Sequence, residues 1–317
     1  MVQDLFVSIC VPAYQRPELL KRLLDSILVQ EYTRYEVVVT DDSPGTTVSD
    51  LIDSHPLKPA IRYFKNQQPM GTPENWNESI RKAGGDWIKL MHDDDWFADR
   101  DSLGCFVRSV RPGPDFYFSA FNNVHSDEKK AESMADRSFI KNLNRCPGIL
   151  LAGNRIGPPS AVLFKKDPAI LFDMRFRWVV DFDFYIHYLK AHPPAVYIEK
   201  ALVNIGISET QVTQSSFGNP AVEIPERFMQ WEKMDPSSLG NWRVYDSWWR
   251  FVRNFRLTGE GKIRSSGYSG PLPAFIFPMM QRQKKIPGTV LRNGFFSKLL
   301  MSANFIRMKT KGRTGIQ

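Results

Sequence analysis

The sequence predicts an α/β fold, a mostly parallel sheet flanked by helices, with a helical C-terminal extension. Three observations predict it. Apolar runs and helix-spaced leucines alternate through the first 120 or so residues. Acidic or polar residues follow directly on several of the apolar runs. From about Glu223 the pattern becomes helical and rich in tryptophan.

Leu5 to Val11 is an almost continuous apolar run stopped at Pro12, as expected of a strand buried on both faces. Leu19, Leu20, Leu23, Leu24, Ile27 and Leu28 then recur at helical spacing, with Pro17 where a first turn tolerates it. Tyr35 to Val39 predicts a second strand, Val48, Leu51 and Ile52 a short helix, and Ile61 to Phe64 a third strand. Glu74 to Lys82 predicts a helix, with Gly84-Gly85 closing its C-terminal end. Trp87 to Met91 and Phe116 to Phe121 complete the strands of the first half. Short links between strand and helix imply parallel pairing, and ligands then bind beyond the C-terminal strand ends. Asn122 to Arg145 is polar and predicts a loop. Ala161 to Phe164 predicts another strand, introduced by Pro158-Pro159-Ser160, and Phe182 to Ala191 a helix. The domain reading is 1–220 for the α/β domain, divided at 121/122, with 221–317 as a basic helical region.

A chain of 317 residues has enough material for a large core. Lys and Arg number 42 against 34 for Asp and Glu, a +8 balance that favours anionic partners without choosing among them. Cys10, Cys105 and Cys146 are odd in number and far apart, which argues against a disulfide framework or zinc site. No basic segment followed by a long apolar stretch opens the chain, and no apolar run nears the roughly 20 residues of a membrane span. The expected location is cytoplasmic, or peripheral on the cytosolic face of the inner membrane. An apolar stripe of Val290, Leu291, Phe295, Leu299, Leu300 and Phe305 lies among Arg292, Lys298, Arg307, Lys309, Lys311 and Arg313. Such a segment suits contact with an anionic membrane, or equally a helix packed on its own domain.

The strongest chemical signal is His92-Asp93-Asp94-Asp95-Trp96, directly after a predicted strand. Three adjacent carboxylates repel one another and are costly unless solvated or neutralised. At a strand end of this sheet a divalent cation is the better account, since Mg²⁺ often takes one or two carboxylates plus substrate phosphates. Asp41-Asp42-Ser43 ends the second strand, where the acids either accept hydrogen bonds from a nucleoside or cap the next helix. Pro12 to Pro17 is either an ordinary strand-to-helix loop or one whose Tyr14 stacks on or flanks a base and whose Arg16 faces phosphate. The chain has no G-x-G-x-x-G and no P-loop. Asp181, between Val180 and Phe182, fits a helix cap, and desolvation by these neighbours would also suit it to act as a base.

Taken together these segments resemble the family 2 glycosyltransferases, whose fold is GT-A. Val7 to Tyr14 resembles the family's opening strand and loop, Glu36 to Ser43 its second strand with the nucleotide-binding acids, and Gly71 through Asn77 to Ile88 its third-helix signature. Leu90 to Trp96 is similar to its D-x-D region and Trp178 to Leu189 to the helix bearing its catalytic carboxylate. The resemblance spans residues 5 to about 215. It implies an inverting transferase using a nucleotide diphosphate sugar, UDP- or dTDP-linked, and Mn²⁺ or Mg²⁺. It implies Asp181 as catalytic base. Pro12, Tyr14, Arg16, Asp41, Asp42, Asn75, Asp93 and Asp94 would contact the donor, with Asp95 and Asp93 on the metal. The implied acceptor is a saccharide or lipid-linked saccharide in bacterial surface polysaccharide or glycolipid assembly. The chain departs from the family at His92, often Asp there, and at Val180, often Glu. The competing readings are a non-catalytic nucleotide-sugar binder of the same fold and a sugar-phosphate nucleotidyltransferase, which would want a glycine-rich basic loop after the first strand. Nucleic acid, suggested only by net charge, is not an expected partner.

Overall fold

The computed structural model describes residues 5–125, 130–207 and 217–313, excepting the side chains of 130–131 and 311–313. The chain forms two compact units, one of residues 1–147 with 154–214, the other of 148–153 with 215–317.

The first unit runs β1 (Val7–Ala13), α1 (Pro17–Leu28), β2 (Tyr35–Asp41), α2 (Thr47–Ser54), β3 (Ile61–Lys65), α3 (Glu74–Lys82), β4 (Trp87–Leu90), β5 (Trp96–Phe97) and α4 (Ser102–Ser109). It continues with β6 (Phe116–Val124), β7 (Lys130–Ser133), α5 (Arg137–Arg145), β8 (Val162–Lys165), α6 (Val180–Ala191) and β9 (Ala195–Gly206). The sheet order is β3-β2-β1-β4-β8-β6-β9-β5, with β7 beside β6. β3, β2, β1 and β4 pair in parallel, as the strand–helix alternation requires. β8 lies antiparallel to both its neighbours, and β6 and β9 are parallel again. Parallel pairing therefore holds across the β3-β2-β1-β4 half, while the other half is mixed.

β1 is buried at every position, and α1 covers it with Leu20, Leu23, Leu24 and Ile27, all at 0% exposure. Burial of each such side chain contributes about 1.5–3 kcal/mol. Leu28, one residue beyond the inward face, stays exposed. The register pairs Ala13 with Asp41 and Cys10 with Leu90, so β1, β2 and β4 end along one edge.

Two expectations need correction. Gly84 and Gly85 do not close α3 through a left-handed cap, since neither has positive φ and the C-cap Ala83 is extended. Gly85 is needed for close approach: a Cβ there would sit 2.8 Å from the Phe6 carbonyl oxygen and 2.9 Å from Ser8 Oγ. The polar stretch from Asn122 to Arg145 is not one loop. It contains the β6–β7 pairing and α5, whose N-cap Asp136 accepts from the Phe139 amide at 2.7 Å. Phe139 and Leu143 lie four apart on the buried face of α5. Residues 126–129 of that stretch lie outside the described residues.

The second unit contains α7 (Pro220–Glu232), α8 (Trp242–Asn254), α9 (Glu260–Arg264), α10 (Ile276–Lys284), α11 (Gly288–Arg292) and α12 (Gly294–Arg313). Its core is aromatic: Trp248 meets Trp231 and Phe275 edge-to-face and lies beside Phe228. The apolar stripe expected along the C-terminal segment is divided. Phe305 is buried against Tyr245, at 5.2 Å between rings, and Val290, Leu291 and Leu300 are half-buried. Phe295 and Leu299 remain exposed. The side chains of Lys311 and Arg313 lie outside the described residues. Among the described residues no helix is long and apolar enough to cross a membrane.

Candidate active site

The edge where β1, β2 and β4 end carries the acids singled out above. β4 stops at Leu90, the Met91 amide still donates to the Cys10 carbonyl at 2.8 Å, and the chain then turns through His92 to Asp95. The turn is held from three sides. The His92 amide donates to Ser160 Oγ at 3.0 Å, Arg22 donates to the Asp94 carbonyl at 2.7 Å, and the Gly206 amide donates to Asp95 Oδ1 at 3.1 Å. Only glycine fits at 206, because a Cβ there would lie 2.5 Å from the Asp94 carbonyl oxygen.

Inside this frame the carboxylates separate into two groups. Asp93 turns to Arg16, with which it forms a short ion pair, and Arg16 also reaches Asp94 Oδ2 at 3.4 Å. Arg16 is itself in a left-handed conformation, φ 51°, at the N-cap of α1, and Gln15 before it has φ 56°. His92, Asp94 and Asp95 each offer one ligand atom, all within 4.8 Å of one another. Asp93 is not part of that cluster, and His92 takes the place expected for it.

Electrostatics give the cluster a direction. Burial pushes the Asp93 carboxyl up to about 7 against the pull of Arg16, and burial with the neighbouring Asp94 raises Asp95 well above its usual range. Burial lowers His92 to about 4, so its imidazole is neutral at physiological pH. His92 Nε2 and Asp93 Oδ2 are buried without a protein partner. Carboxylates that resist ionisation, next to a neutral imidazole with an unsatisfied nitrogen, fit a divalent cation, whose positive charge would favour their ionised, ligating form. Behind them Lys89 is completely buried, donates to the Ser160 carbonyl, and is pushed down to about 7 by burial.

The second strand end is arranged differently. Asp41 is fully enclosed and accepts from the Ser43 amide at 2.8 Å, Tyr63 hydroxyl at 2.7 Å and Lys65 Nζ at 2.9 Å. Burial alone would raise its carboxyl, but these donors hold it below the usual range. It does not cap α2, whose N-cap is Thr46. Asp42 accepts from Asn66 at 2.7 Å and from the amides of Met70 and Gly71 at 3.0 and 2.7 Å, fixing the loop before α3. Asn75 lies under the strand ends rather than at their surface: its amide group donates to the Ala13 and Thr40 carbonyls and accepts from Asn66. Pro12 is buried in β1, and Tyr14 is 52% exposed beside this edge.

Asp181 occupies the first turn of α6. It is not the cap, which is Val179. Oδ2 accepts from Asn154 Nδ2 at 2.7 Å and Oδ1 from the Phe182 amide at 2.8 Å. Burial raises its carboxyl to about 6, opposed by these hydrogen bonds. Asn154 is locked in turn, accepting from the amides of Ile156 and Gly157 and donating to the Gly157 carbonyl. The stretch 154–160 thus carries Asn154 to Asp181 and Ser160 to His92. Rings make a second link: Trp76 packs on His92 at 4.6 Å and on Phe172 at 5.2 Å, and Phe172 stacks on Phe184 of α6 at 4.1 Å.

Residues 8–183 match the family described as Glycosyl transferase family 2, more than half of the chain. The chain belongs to glycosyl transferase family 2.

This family 2 glycosyltransferase is 26% identical over 259 residues to an uncharacterised protein of Mycobacterium tuberculosis, covering 77% of this chain and 81% of that one. It is 25% identical over 223 residues to an abequosyltransferase of Salmonella typhimurium, covering 63% of this chain and 62% of that enzyme. The fold matches a mannosyltransferase of Pyrobaculum calidifontis, solved with GDP-Man and Mn²⁺, at a TM-score of 0.58 and 16% identity, over 98% of this chain and 88% of that one. The architecture is GT-A.

Sequence reasoning on this glycosyltransferase did not single out His92 as a ligand, nor Asn154, Ser160, Trp76 and Lys89. His92 was legible as a third donor type beside the acids. Asn154 and Ser160 sit in an ordinary-looking loop, and nothing in their spacing reports the 27 positions between Asn154 and Asp181.

Proposed function

We propose that this glycosyltransferase moves a sugar, with inversion, from a nucleotide diphosphate donor, UDP- or dTDP-linked, to an acceptor hydroxyl. The acceptor is a saccharide or lipid-linked saccharide, in bacterial surface polysaccharide or glycolipid assembly on the cytosolic side of the membrane. The observation that carries the reading is the grouping of His92, Asp94 and Asp95 beside Arg16 at the strand-end edge.

His92, Asp94 and Asp95 would hold a divalent cation, and Arg16 would face the diphosphate on exchanging its acid partners for phosphate oxygens. Two carboxylates and an imidazole suit Mn²⁺ better than Mg²⁺, which prefers oxygen donors throughout. When bound, such a cation would supply positive charge against the leaving diphosphate. Tyr14 covers the nucleobase, and enclosed Asp41 acts by holding Tyr63, Lys65 and Ser43 around the nucleoside end. Asp181 removes the acceptor proton as the hydroxyl attacks the anomeric carbon opposite the diphosphate. The reading is supported by a relative named as a sugar transferase and a neighbour solved with a nucleotide sugar and Mn²⁺. Transfer screened over a nucleotide-sugar panel, with Mn²⁺ and with Mg²⁺, tests it. Turnover with a UDP- or dTDP-sugar is expected, and no turnover or hydrolysis with any donor overturns it.

Tyr14→Ala is expected to raise the donor Kd about ten- to a hundredfold, from loss of a base stack worth roughly 1–3 kcal/mol. Because Tyr14 is half exposed, the melting temperature should hold. Calorimetric titration with the nucleotide checks this, and an unchanged Kd excludes the stack.

Asn154→Ala removes a hydrogen bond from the ionised Asp181 and leaves the effect of burial less opposed. The acid limb of the rate profile should therefore move to higher pH by about one to two units, given roughly 1.5–3 kcal/mol for a hydrogen bond to a charged group. A rate loss with an unmoved profile would mean that Asn154 only shapes its loop.

A further inference from the structure

The last helix of the second unit carries apolar residues on two opposite faces. Met301 and Phe305, in line with the polar Ser297 at a spacing of four, are buried against that unit. On the far side Phe295, Leu299 and Ile306 recur at i, i+4 and i+11, which is again one face of a helix. They are 69%, 53% and 62% exposed, with Phe296 next to them at 52%. Lys298 and Lys309 fall on one shoulder of this outer stripe and Arg307 on the other, all three exposed. Helix packing accounts for the inner face and leaves the outer one unexplained.

Charge says what covers it. Beyond Glu260 the chain has eleven lysines and arginines and no aspartate or glutamate, more than the net +8 of the whole chain. A protein partner would need an acidic rim around an apolar strip. An anionic bilayer offers both at once, with negative headgroups for the shoulders and an acyl boundary for the rings. An in-plane amphipathic helix has this construction, with aromatic and leucine side chains on one face and cations beside them. Exposed aliphatic and phenyl groups in water are unfavourable, and insertion to headgroup depth removes them from it.

We propose that the outer face of α12, through Phe295, Leu299 and Ile306 flanked by Lys298, Arg307 and Lys309, docks this glycosyltransferase on an anionic membrane surface. The docking rests on the reading of a lipid-linked acceptor only for its purpose, since the surface and its charge stand without it. It places the enzyme where such an acceptor is presented.

The test is flotation of the full chain with phosphatidylcholine vesicles, with and without phosphatidylglycerol, at low and high salt. Wild type is expected to float with the anionic vesicles, to release at high salt, and to stay unbound with neutral ones. Each cation near the surface contributes about a fivefold gain in partition, so K298Q/R307Q/K309Q should lower partition by roughly a hundredfold. F295S/L299S should lose binding even at low salt while keeping the wild-type melting temperature and donor hydrolysis in solution. Donor hydrolysis measured alongside separates the two proposals, because its failure concerns the transferase reading and leaves flotation untouched. Absence of flotation with anionic vesicles overturns the docking, as does flotation that neither variant reduces. A wild-type dimer that F295S/L299S makes monomeric, without flotation, also overturns it and assigns the face to a second copy.

Discussion

Asp181→Asn should lower the transfer rate by roughly 10²–10⁴-fold while leaving donor affinity nearly unchanged. An alcohol must lose its proton during attack, and under the proposed reading the strand-end acids would be taken up by cation and donor, with Arg16 already paired to Asp93 and Asp94. Asp181 has the opposite environment: partly buried, without a cationic partner among its hydrogen bonds, and held by Asn154 and the Phe182 amide. Burial raising its carboxyl to about 6 makes it a stronger base than an ordinary aspartate, yet still ionised at neutral pH. The sign of the pH dependence follows. Below about pH 6 the carboxyl is protonated and cannot accept the proton, so the rate falls as pH drops through that value and levels off above it. The check is kcat/KM against pH, which reports the free enzyme, for wild type and variant, with donor Kd measured separately. Asp183 is the comparison: its amide donates to the Val179 carbonyl and it is 3% exposed, deeper in α6 than Asp181. If Asp183→Asn loses turnover and Asp181→Asn keeps it, the assignment moves. If both stay active, the base lies elsewhere.

Removal of the cation with EDTA, or Asp95→Asn, should lower turnover by roughly 10²–10³-fold, since stabilising charge on the leaving diphosphate supplies several kcal/mol. The fold should survive. Burial disfavours the charged form of Asp95, so a neutral amide of the same shape is tolerated in cation-free buffer. Mn²⁺ added back after chelation should restore wild type and not the variant. His92→Ala and Asp93→Asn separate the two possible ligand sets. With His92, Asp94 and Asp95 as ligands, His92→Ala should raise the Mn²⁺ concentration needed for half activity about tenfold or more, as ligand-shell changes commonly do. Asp93→Asn should instead free Arg16 and alter donor affinity. Undiminished turnover in EDTA would remove the cation from the account altogether.

Much of this was legible in the sequence because it is local. The leucines of α1 fall at helical spacing, and Leu20, Leu23, Leu24 and Ile27 are the ones buried. The valines of β2 form a continuous run because a central parallel strand is covered on both faces. An acidic cluster directly after a strand reads as a strand-end site, since a parallel sheet fixes which edge gathers the loops. The polar stretch before residue 145 misled for a related reason. An edge hairpin and a short amphipathic helix need few apolar residues, and the average over the stretch conceals Phe139 and Leu143.

What the tertiary structure alone decided is the division of labour among like residues. Asp93 and Asp95 are two positions apart and equally buried, yet one meets Arg16 across 77 positions and the other meets Gly206 across 111. Asp41 and Asp42 are adjacent, and strand pleating sends them to Tyr63 and Lys65 in one case and to the 66–71 loop in the other. Gly206 and Gly85 are small because a backbone from elsewhere in the chain passes within a Cβ's radius. Sequence determined which segments become strands and helices and which strand ends carry acids, because those depend on neighbours within one turn or one pleat. Which acid groups with His92, which faces an arginine and which is left ionisable near neutrality depends on partners brought in by sheet order and desolvation, and these act only once the chain has folded.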